Sequence, residues 1–582
     1  MKFFQLIRTY VGKYKIFAIL TPIMVILEVA LDIVIPYLMS RIIDVGVANK
    51  DLGYIVKIGA LMLAAAALAM CFGALSGRFS ALASSGFAYN LRTTMFNKVQ
   101  DFSFANVDKF STASLVTRMT SDITMIQMPF MMMIRMMVRA PFQMILAAVM
   151  AVRINAKLSI VFAVAVPILA VVLAVITTKA FPLFQKMFYK IDDMNSVVQE
   201  NLISIRVVKA FVRKKHEIQK FDNSAGNLRS TQLKAEMIVI WNRPVMTFVM
   251  YSCMLAVCWF GGRLIIKEEL LTGEFFSFMS YISQVLMSLM MLSMTFIGLV
   301  MSRAAVRRVG EVLTTEPSVK DPEHPENAPK VADGSIEFDH VSFRYETQSD
   351  ENRILEDINL SIPSGTMVGV LGGTGSGKTT LVSLIPRFYD VADGSLRVGG
   401  VDVREYTQHE LRENVSMVLQ TNVLFSGTIR ENLLWGKEDA TEEEMIAACK
   451  AAQAHDFIMS FPDGYDTELG QGGVNVSGGQ KQRLCIARAL IKKPKIVILD
   501  DSTSAVDTTT DRQIREAMKR ELAETTSIII SQRVTSLMDA DMIIVMDDGK
   551  ICEVGSHDEL MAKNGIYREV FESQQKGVQI SA

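Results

Sequence analysis

The chain has 582 residues, 50% of them hydrophobic and 21% charged, with a formal net charge of −1 and a mean hydropathy of +0.28. So few charges cannot cover a soluble protein of this size, and the lack of a basic excess argues against a nucleic-acid binder. The two parts of the chain differ: long apolar runs end near Val300, and the segment beyond Gly334 has the mixed composition of a soluble α/β domain.

Lys2, Arg8, Lys13 and Lys15 precede or open the first apolar run, Ile16–Met39. That run is too long for a signal-peptide core and has no small-residue cleavage site after it, so an uncleaved first span is expected. Tyr54–Leu75, Pro129–Val152, Leu158–Thr178, Val245–Ile266 and Phe275–Val300 complete a set of six, each close to the ~20 residues a helix needs to cross a bilayer. Short loops join spans 1 and 2, 3 and 4, and 5 and 6. The other two connections are long, helix-prone and nearly free of Pro and Gly. They predict four spans that continue as helices into the cytosol and turn near Phe102–Thr112 and Ser204–Phe211. Arg213, Lys214, Lys215 and Lys220 give the second connection the positive charge usual on the cytosolic side. An even number of spans places both termini there.

Glu28 and Asp32 lie one turn apart in span 1, and Arg135 and Arg139 have the same spacing in span 3 among Met131, Met132, Met133, Met136 and Met137. Charges at membrane depth are costly and should face a cavity or a partner helix. An interhelical ion pair and a cargo contact are both compatible with the spacing. The chain's 37 methionines suit either core packing or a surface that accepts varied apolar shapes. Its cysteines, Cys71, Cys253, Cys258, Cys449, Cys485 and Cys552, lack metal-site spacing and read as small buried hydrophobes in a reducing compartment.

Pro317, Pro322, Pro325 and Pro329 mark an extended spacer. This divides the chain into a transmembrane domain at 1–315, a linker at 316–334 and a nucleotide-binding domain at 335–582. In the last part, strand-like runs (Ile336–Tyr345, Met367–Leu371, Ile496–Leu499, Ser527–Ile530, Met542–Met546) alternate with helical stretches, which predicts a mainly parallel sheet covered by helices.

Gly372-Gly373-Thr374-Gly375-Ser376-Gly377-Lys378-Thr379 fits the phosphate-binding loop G-x-x-x-x-G-K-[ST], after an apolar strand and before a helical run that begins at Thr380. Its glycines let backbone N–H groups converge on phosphate oxygens, Lys378 reaches the outer phosphates, and Thr379 is placed for Mg²⁺. Ile496–Asp500 is an apolar strand ending in a carboxylate that also suits Mg²⁺.

Between them lies Val476-Ser477-Gly478-Gly479-Gln480-Lys481-Gln482-Arg483, which resembles the signature of the ATP-binding-cassette (ABC) family, usually written LSGGQ. The resemblance covers nearly the whole chain. It implies that Tyr345 stacks on adenine and that Gln420 is the glutamine linking ATP and its Mg²⁺ to the membrane domain. Ser504-Ala505-Val506-Asp507 resembles the D-loop, and Asn201–Phe211 the second coupling segment of exporters with the type IV membrane fold. In that family the signature closes over ATP held by another nucleotide-binding domain. One P-loop, one signature and six spans therefore imply a dimer, in which Ser477, Gly478, Gly479, Gln480 and Asp507 contact the partner's ATP.

Two catalytic positions depart from the family pattern. The residue after Asp500 is normally Glu; here it is Asp501, whose shorter side chain falls back by roughly an ångström, a shift that can cost about a hundredfold in rate. Gln532 stands at the switch position usually held by His and cannot carry a proton or a charge. Gln471 also replaces a Glu common just before the signature. Both catalytic changes fall on this chain's own ATP site, and the signature is intact. That distribution resembles the degenerate-site subunit of bacterial heterodimeric multidrug exporters.

The sequence therefore predicts a six-span α-helical transmembrane domain of the type IV exporter fold, joined to an α/β P-loop nucleotide-binding domain. The expected activity is Mg²⁺- and ATP-dependent export of amphipathic drugs or lipids across the plasma membrane, with slow hydrolysis at this chain's own site. The expected partner is a different half-transporter with catalytic Glu and His intact, alongside membrane lipid and cargo. Import of a metal chelate on the same fold, or an ATP-gated channel or regulatory module, are the alternatives.

Overall fold

The computed structural model describes residues 3–345, 353–501, 506–521 and 523–581. They form two compact units: Met1–Gln100 with Thr112–Thr314, and Asp101–Ser111 with Thr315–Ala582.

The first unit is helical. Among the described residues, six helical stretches are long and apolar enough to cross a membrane: Gly12–Val47, Leu52–Gln100, Thr112–Ile154, Ala163–Ile203, Lys214–Ile266 and Thr272–Phe296. The helix Leu52–Gln100 has 49 residues, about 74 Å at 1.5 Å per residue, more than twice the ~30 Å hydrocarbon core. Its buried residues are small from Ala65 to Gly86 (Ala65, Ala69, Ser76, Ser80, Ala83, Ser84 and Gly86), and the larger Phe87, Leu91 and Met95 join Ala88 beyond them. Small side chains let helix backbones approach where lipid offers no hydrophobic driving force. A Cβ on Gly86 would come within 2.4 Å of the Tyr14 ring. Serine hydroxyls on this face, Ser76 and Ser80, donate to Gly73 and Gly77 carbonyls in their own helix. Pro22 and Pro36 lie inside the first span, tolerated because neighbouring helices can satisfy the freed backbone groups.

The spans' charges are sorted between helices. Arg139 donates to Glu28 through one guanidinium nitrogen and to Asp32 through the other at 2.9 Å. The two carboxylates thus grip a neighbouring helix, and Gly73 leaves the room that Glu28 occupies. Arg135 is in neither ion pair, and its Nε is buried without a hydrogen-bond partner. The i,i+4 spacing placed both arginines on one face but could not tell which met the acids. Near the end of this unit Arg308 clamps buried Asp122 with two hydrogen bonds, at 2.7 and 2.5 Å.

The second unit holds two main sheets and a short pair. β1 (Ile336–Phe343), β2 (Leu355–Ile362), β4 (Asp393–Val398) and β5 (Val401–Asp402) form an antiparallel sheet in the order β2-β1-β4-β5. β3 (Met367–Gly372), β6 (Val415–Val418), β9 (Ile496–Asp500), β10 (Thr526–Ile530), β11 (Met542–Asp547) and β12 (Lys550–Gly555) form a second sheet in the order β12-β11-β3-β10-β9-β6. All its pairs are parallel except β11–β12. β7 (Gly427–Thr428) and β8 (Glu468–Leu469) pair with each other. Four of the predicted strands lie in the mainly parallel sheet as β3, β9, β10 and β11, with β9 buried along its whole length, but the fifth, Ile336–Tyr345, is β1 of the antiparallel sheet. The antiparallel sheet was not anticipated. Its strand β2 alternates between buried and exposed residues, a weaker signal than a continuous apolar run.

Replacing Arg139 by Ala leaves Glu28 and Asp32 uncompensated at membrane depth, at an expected loss of about 3 kcal/mol. Thermal unfolding in detergent should fall clearly, and Glu28→Gln with Asp32→Asn on the Arg139→Ala background should recover part of the loss.

Candidate nucleotide site

Parallel pairing brings the carboxyl ends of β3, β10 and β9 side by side, with Ile530 opposite both Val370 and Asp500. Ligands of open α/β sheets bind beyond such ends. Here the chain leaves β3 at Gly372 and passes through Gly373, Thr374, Gly375, Ser376 and Gly377 into the helix Lys378–Leu384. Gly375 and Gly377 have φ of +86° and +92°, a region open to Gly and costly for other residues. A Cβ on Gly377 would lie 2.8 Å from the Leu355 side chain, and one on Gly372 2.4 Å from the Met546 carbonyl oxygen. The loop is therefore a concave backbone nest that requires glycine at Gly372, Gly375 and Gly377.

Lys378 folds back along this nest, donating to the Gly372 and Gly373 carbonyls at 2.9 and 2.6 Å. Burial holds its pKa below the ordinary lysine value, opposed by Asp500 and Asp501. Asp500, at the end of β9, is 1% exposed. Burial raises its pKa, while a hydrogen bond from Thr379 and the charge of Lys378 pull it down. Among the described residues its buried Oδ2 has no hydrogen-bond partner. A hydroxyl beside a buried carboxylate with a spare oxygen fits a hard divalent cation that takes its remaining ligands from phosphate and water. Among the described residues no three His, Cys, Asp or Glu side chains gather as a cage, which is compatible with Mg²⁺ held jointly by Thr379, Asp500 and a nucleotide.

Asp501 sits at φ +46°, with its N–H donating to the Ile530 carbonyl at 3.1 Å. Burial raises its carboxyl pKa, and Arg533 and Lys378 oppose this. Gln532 has an exposed side chain. Its carbonyl accepts from Gln574 Nε2 at 2.8 Å, and Gln574 Oε1 accepts the Val534 N–H at 3.0 Å. The C-terminal helix thus bridges the segment around Gln532, a role the sequence did not reveal because Gln574 belongs to no motif. Gln420 is exposed just beyond β6.

Thr380 is buried and shares a 3.0 Å hydrogen bond with the Tyr345 hydroxyl, so the aromatic is tied to the loop's helix. Ser477 is the N-cap of the helix Gly478–Leu490. It accepts from the Gln480 N–H at 3.3 Å, and Gln480 Oε1 accepts the Ser477 N–H at 2.9 Å. Ser-x-x-Gln is thus a capping box, and the exposed Ser477 and Gly478 face outward from their own chain. Among the described residues the side-chain hydrogen bonds of Ser477 and Gln480 stay within this box. Asp507 is exposed and caps the next helix by accepting the Thr510 N–H at 2.9 Å. Ser504 and Ala505, read with it as a D-loop, lie outside the described residues. Gln471 is exposed in a tight turn whose next residue, Gly472, has φ +68°.

Comparison with known proteins agrees over both units. Residues 18–290 match the family model described as the ABC transporter transmembrane region, and residues 355–504 that described as ABC transporter. The ABC transporter ATP-binding protein YfiB of Bacillus subtilis (strain 168), itself uncharacterised, is 36% identical over 566 residues, covering 97% of this chain and 98% of YfiB. An ATP-dependent lipid A-core flippase of Desulfotalea psychrophila (strain LSv54 / DSM 12343) is 32% identical over 490 residues, covering 83% and 84% of the two chains. A bacterial Atm1-family ABC exporter, solved with ATP bound, superposes with a TM-score of 0.84 at 25% identity, covering 97% of this chain and 99% of that one.

Gly377→Ala tests the nest directly. The added methyl meets Leu355 at a backbone angle that disfavours it, so binding of a fluorescent ATP analogue should fall by about tenfold or more, with the helical circular-dichroism signal retained.

Proposed function

The chain belongs to the ABC transporters, as an ATP-hydrolysing half-transporter of exporter architecture, and from that premise we propose that it serves a heterodimer whose two ATP sites are unequal. The complex exports amphipathic small molecules, drugs or lipids, across the plasma membrane, with both termini of this chain in the cytosol. This chain's P-loop forms the slow site and its signature completes the fast one.

The observation that carries this reading is the contrast between Asp501 with Gln532 and the intact Ser477 capping box. ATP is held by the P-loop amides, Lys378 at the outer phosphates and Tyr345 against the adenine. Mg²⁺ shared by Thr379, Asp500 and Gln420 would neutralise phosphate charge. Water attack needs a carboxylate that reaches the water and a group that senses the γ-phosphate. Asp501 is one methylene short of Glu, and Gln532 offers an amide in place of an imidazole. Binding groups are thus kept and transition-state groups altered, the pattern of a site that holds ATP longer than it turns it over.

Two exposed apolar surfaces support dimerisation. Leu202, Ile203, Val207, Phe211 and Val212 stand out around the second cytosolic turn. In the nucleotide-binding unit, Leu419, Val423, Phe425 and Trp435 line an open groove of about 330 Å³. We assign each to docking against the partner subunit. A largely apolar trough of about 810 Å³ between the helices of spans 4 and 5, with Lys157, Arg263 and Lys267 among its lining residues, supports an amphipathic cargo, as does the flippase relative.

Tagged chain recovered from its native membrane should bring down a second half-transporter with Glu after its Walker B Asp and His at the switch position. Recovery of this chain alone contradicts the heterodimer. In the recovered complex Ser477→Arg should remove about 90% or more of ATPase activity, whereas Lys378→Ala should weaken ATP retention and leave measurable turnover. The reverse order of damage would exchange the two sites.

A further inference from the structure

Asp101–Ser111, the turn between the second and third spans, clusters with the nucleotide-binding unit. Ser103 caps its short helix, Phe104–Phe110, through a capping box with Asn106. Ser103 also shares a 2.6 Å hydrogen bond with Ser318, and Asn106 donates to the Glu316 carbonyl. Phe104 stacks on Phe388 at 4.2 Å and 22°. Next to Phe388, Tyr389 donates its hydroxyl to Asp108 at 2.8 Å.

The other end of Tyr389 reaches the nucleotide site. Its ring meets Tyr345 edge-on, with centroids 5.2 Å apart and planes at 85°, and both rings pack against Phe343. Tyr345 is itself held by Thr380 at the P-loop helix. Asp108, Tyr389, Tyr345 and Thr380 therefore form an unbroken chain of two hydrogen bonds and one aromatic contact. Burial and the Asp108 carboxylate both push the Tyr389 hydroxyl pKa up, so it remains a donor at neutral pH.

A purine stacked on Tyr345 fixes the plane of that ring. Tyr389 touches Tyr345 by its edge, a geometry sensitive to ring rotation, and its hydroxyl is anchored on the turn. We propose that Tyr389 is a positioning residue that reports an adenine base on Tyr345 to the Asp101–Ser111 turn through Asp108. The signal is base occupancy, so it requires neither hydrolysis nor the γ-phosphate sensor that Gln532 replaces. By linkage, the state of the turn must alter ATP affinity to the same degree that ATP alters the turn. This inference rests on the reading of Tyr345 as the adenine platform.

The test is hydrogen exchange of the Phe104–Phe110 amides in the complex recovered through this chain and placed in nanodiscs, with no nucleotide, with MgATP and with Mg-tripolyphosphate. ATP should slow exchange about fivefold and tripolyphosphate should leave it unchanged. Tyr389→Phe keeps the ring and removes only the hydroxyl; Asp108→Ala removes the acceptor. Each should abolish the ATP-dependent change while ATP Kd stays within about threefold, and the double variant should do no more than either single one. Equal protection by tripolyphosphate, or an ATP-dependent change that survives Tyr389→Phe, overturns the proposal. So does exchange that speeds up equally with and without ATP, since that marks a merely structural contact. Tyr345→Leu is the separate control: about tenfold weaker ATP binding upholds the adenine reading, and unchanged binding removes that reading and the relay with it.

Discussion

The whole arrangement turns on a backbone loop that cannot be built from ordinary residues. Gly375 and Gly377 adopt left-handed φ, and Gly377 touches its neighbours where a methyl would collide. Lys378 lies across the loop on the Gly372 and Gly373 carbonyls. The loop's place is set by β3, whose parallel neighbours bring Asp500 and the segment after Ile530 to the same edge. On the proposed reading, phosphate, metal and water chemistry meet at this one end of one sheet.

The signature follows a different rule. Ser477 caps its helix and presents its first turn outward, with its side-chain hydrogen bond closed within the capping box. We propose that a second molecule completes this surface. On the proposed reading, the two functions of this chain have separate fates: what it offers its own ATP is weakened by one methylene and one missing imidazole, and what it offers its partner's ATP is kept. Coupling to the membrane domain must then depend on binding more than on turnover at this site. The contacts from Tyr345 through Tyr389 to Asp108 supply a route of that kind.

Much of the fold was legible in the sequence because the signals were local. The P-loop is a contiguous motif, β9 is a continuous buried run ending in Asp500, and the spans declare themselves by length and apolarity. Contacts between segments far apart in sequence were not legible. The i,i+4 pattern put Arg135 and Arg139 on one face, but only three-dimensional packing chose Arg139 for Glu28 and Asp32. Gln574, which bridges the backbone around Gln532, belongs to no motif. Tyr389 sits 281 residues from Asp108. The antiparallel sheet escaped because β1 was read with the parallel strands and β2 buries only alternate side chains for much of its length.

The most direct test of the unequal-site account is ATP persistence in the complex when the partner's catalytic Glu is changed to Gln and this chain is left intact. With the fast site disabled, radiolabelled ATP on this chain should survive rapid washing and be hydrolysed at least about a hundredfold more slowly than by the unmodified complex. Hydrolysis near the unmodified rate, with Asp501 and Gln532 in place, would show that this chain's own site is competent and would contradict the account.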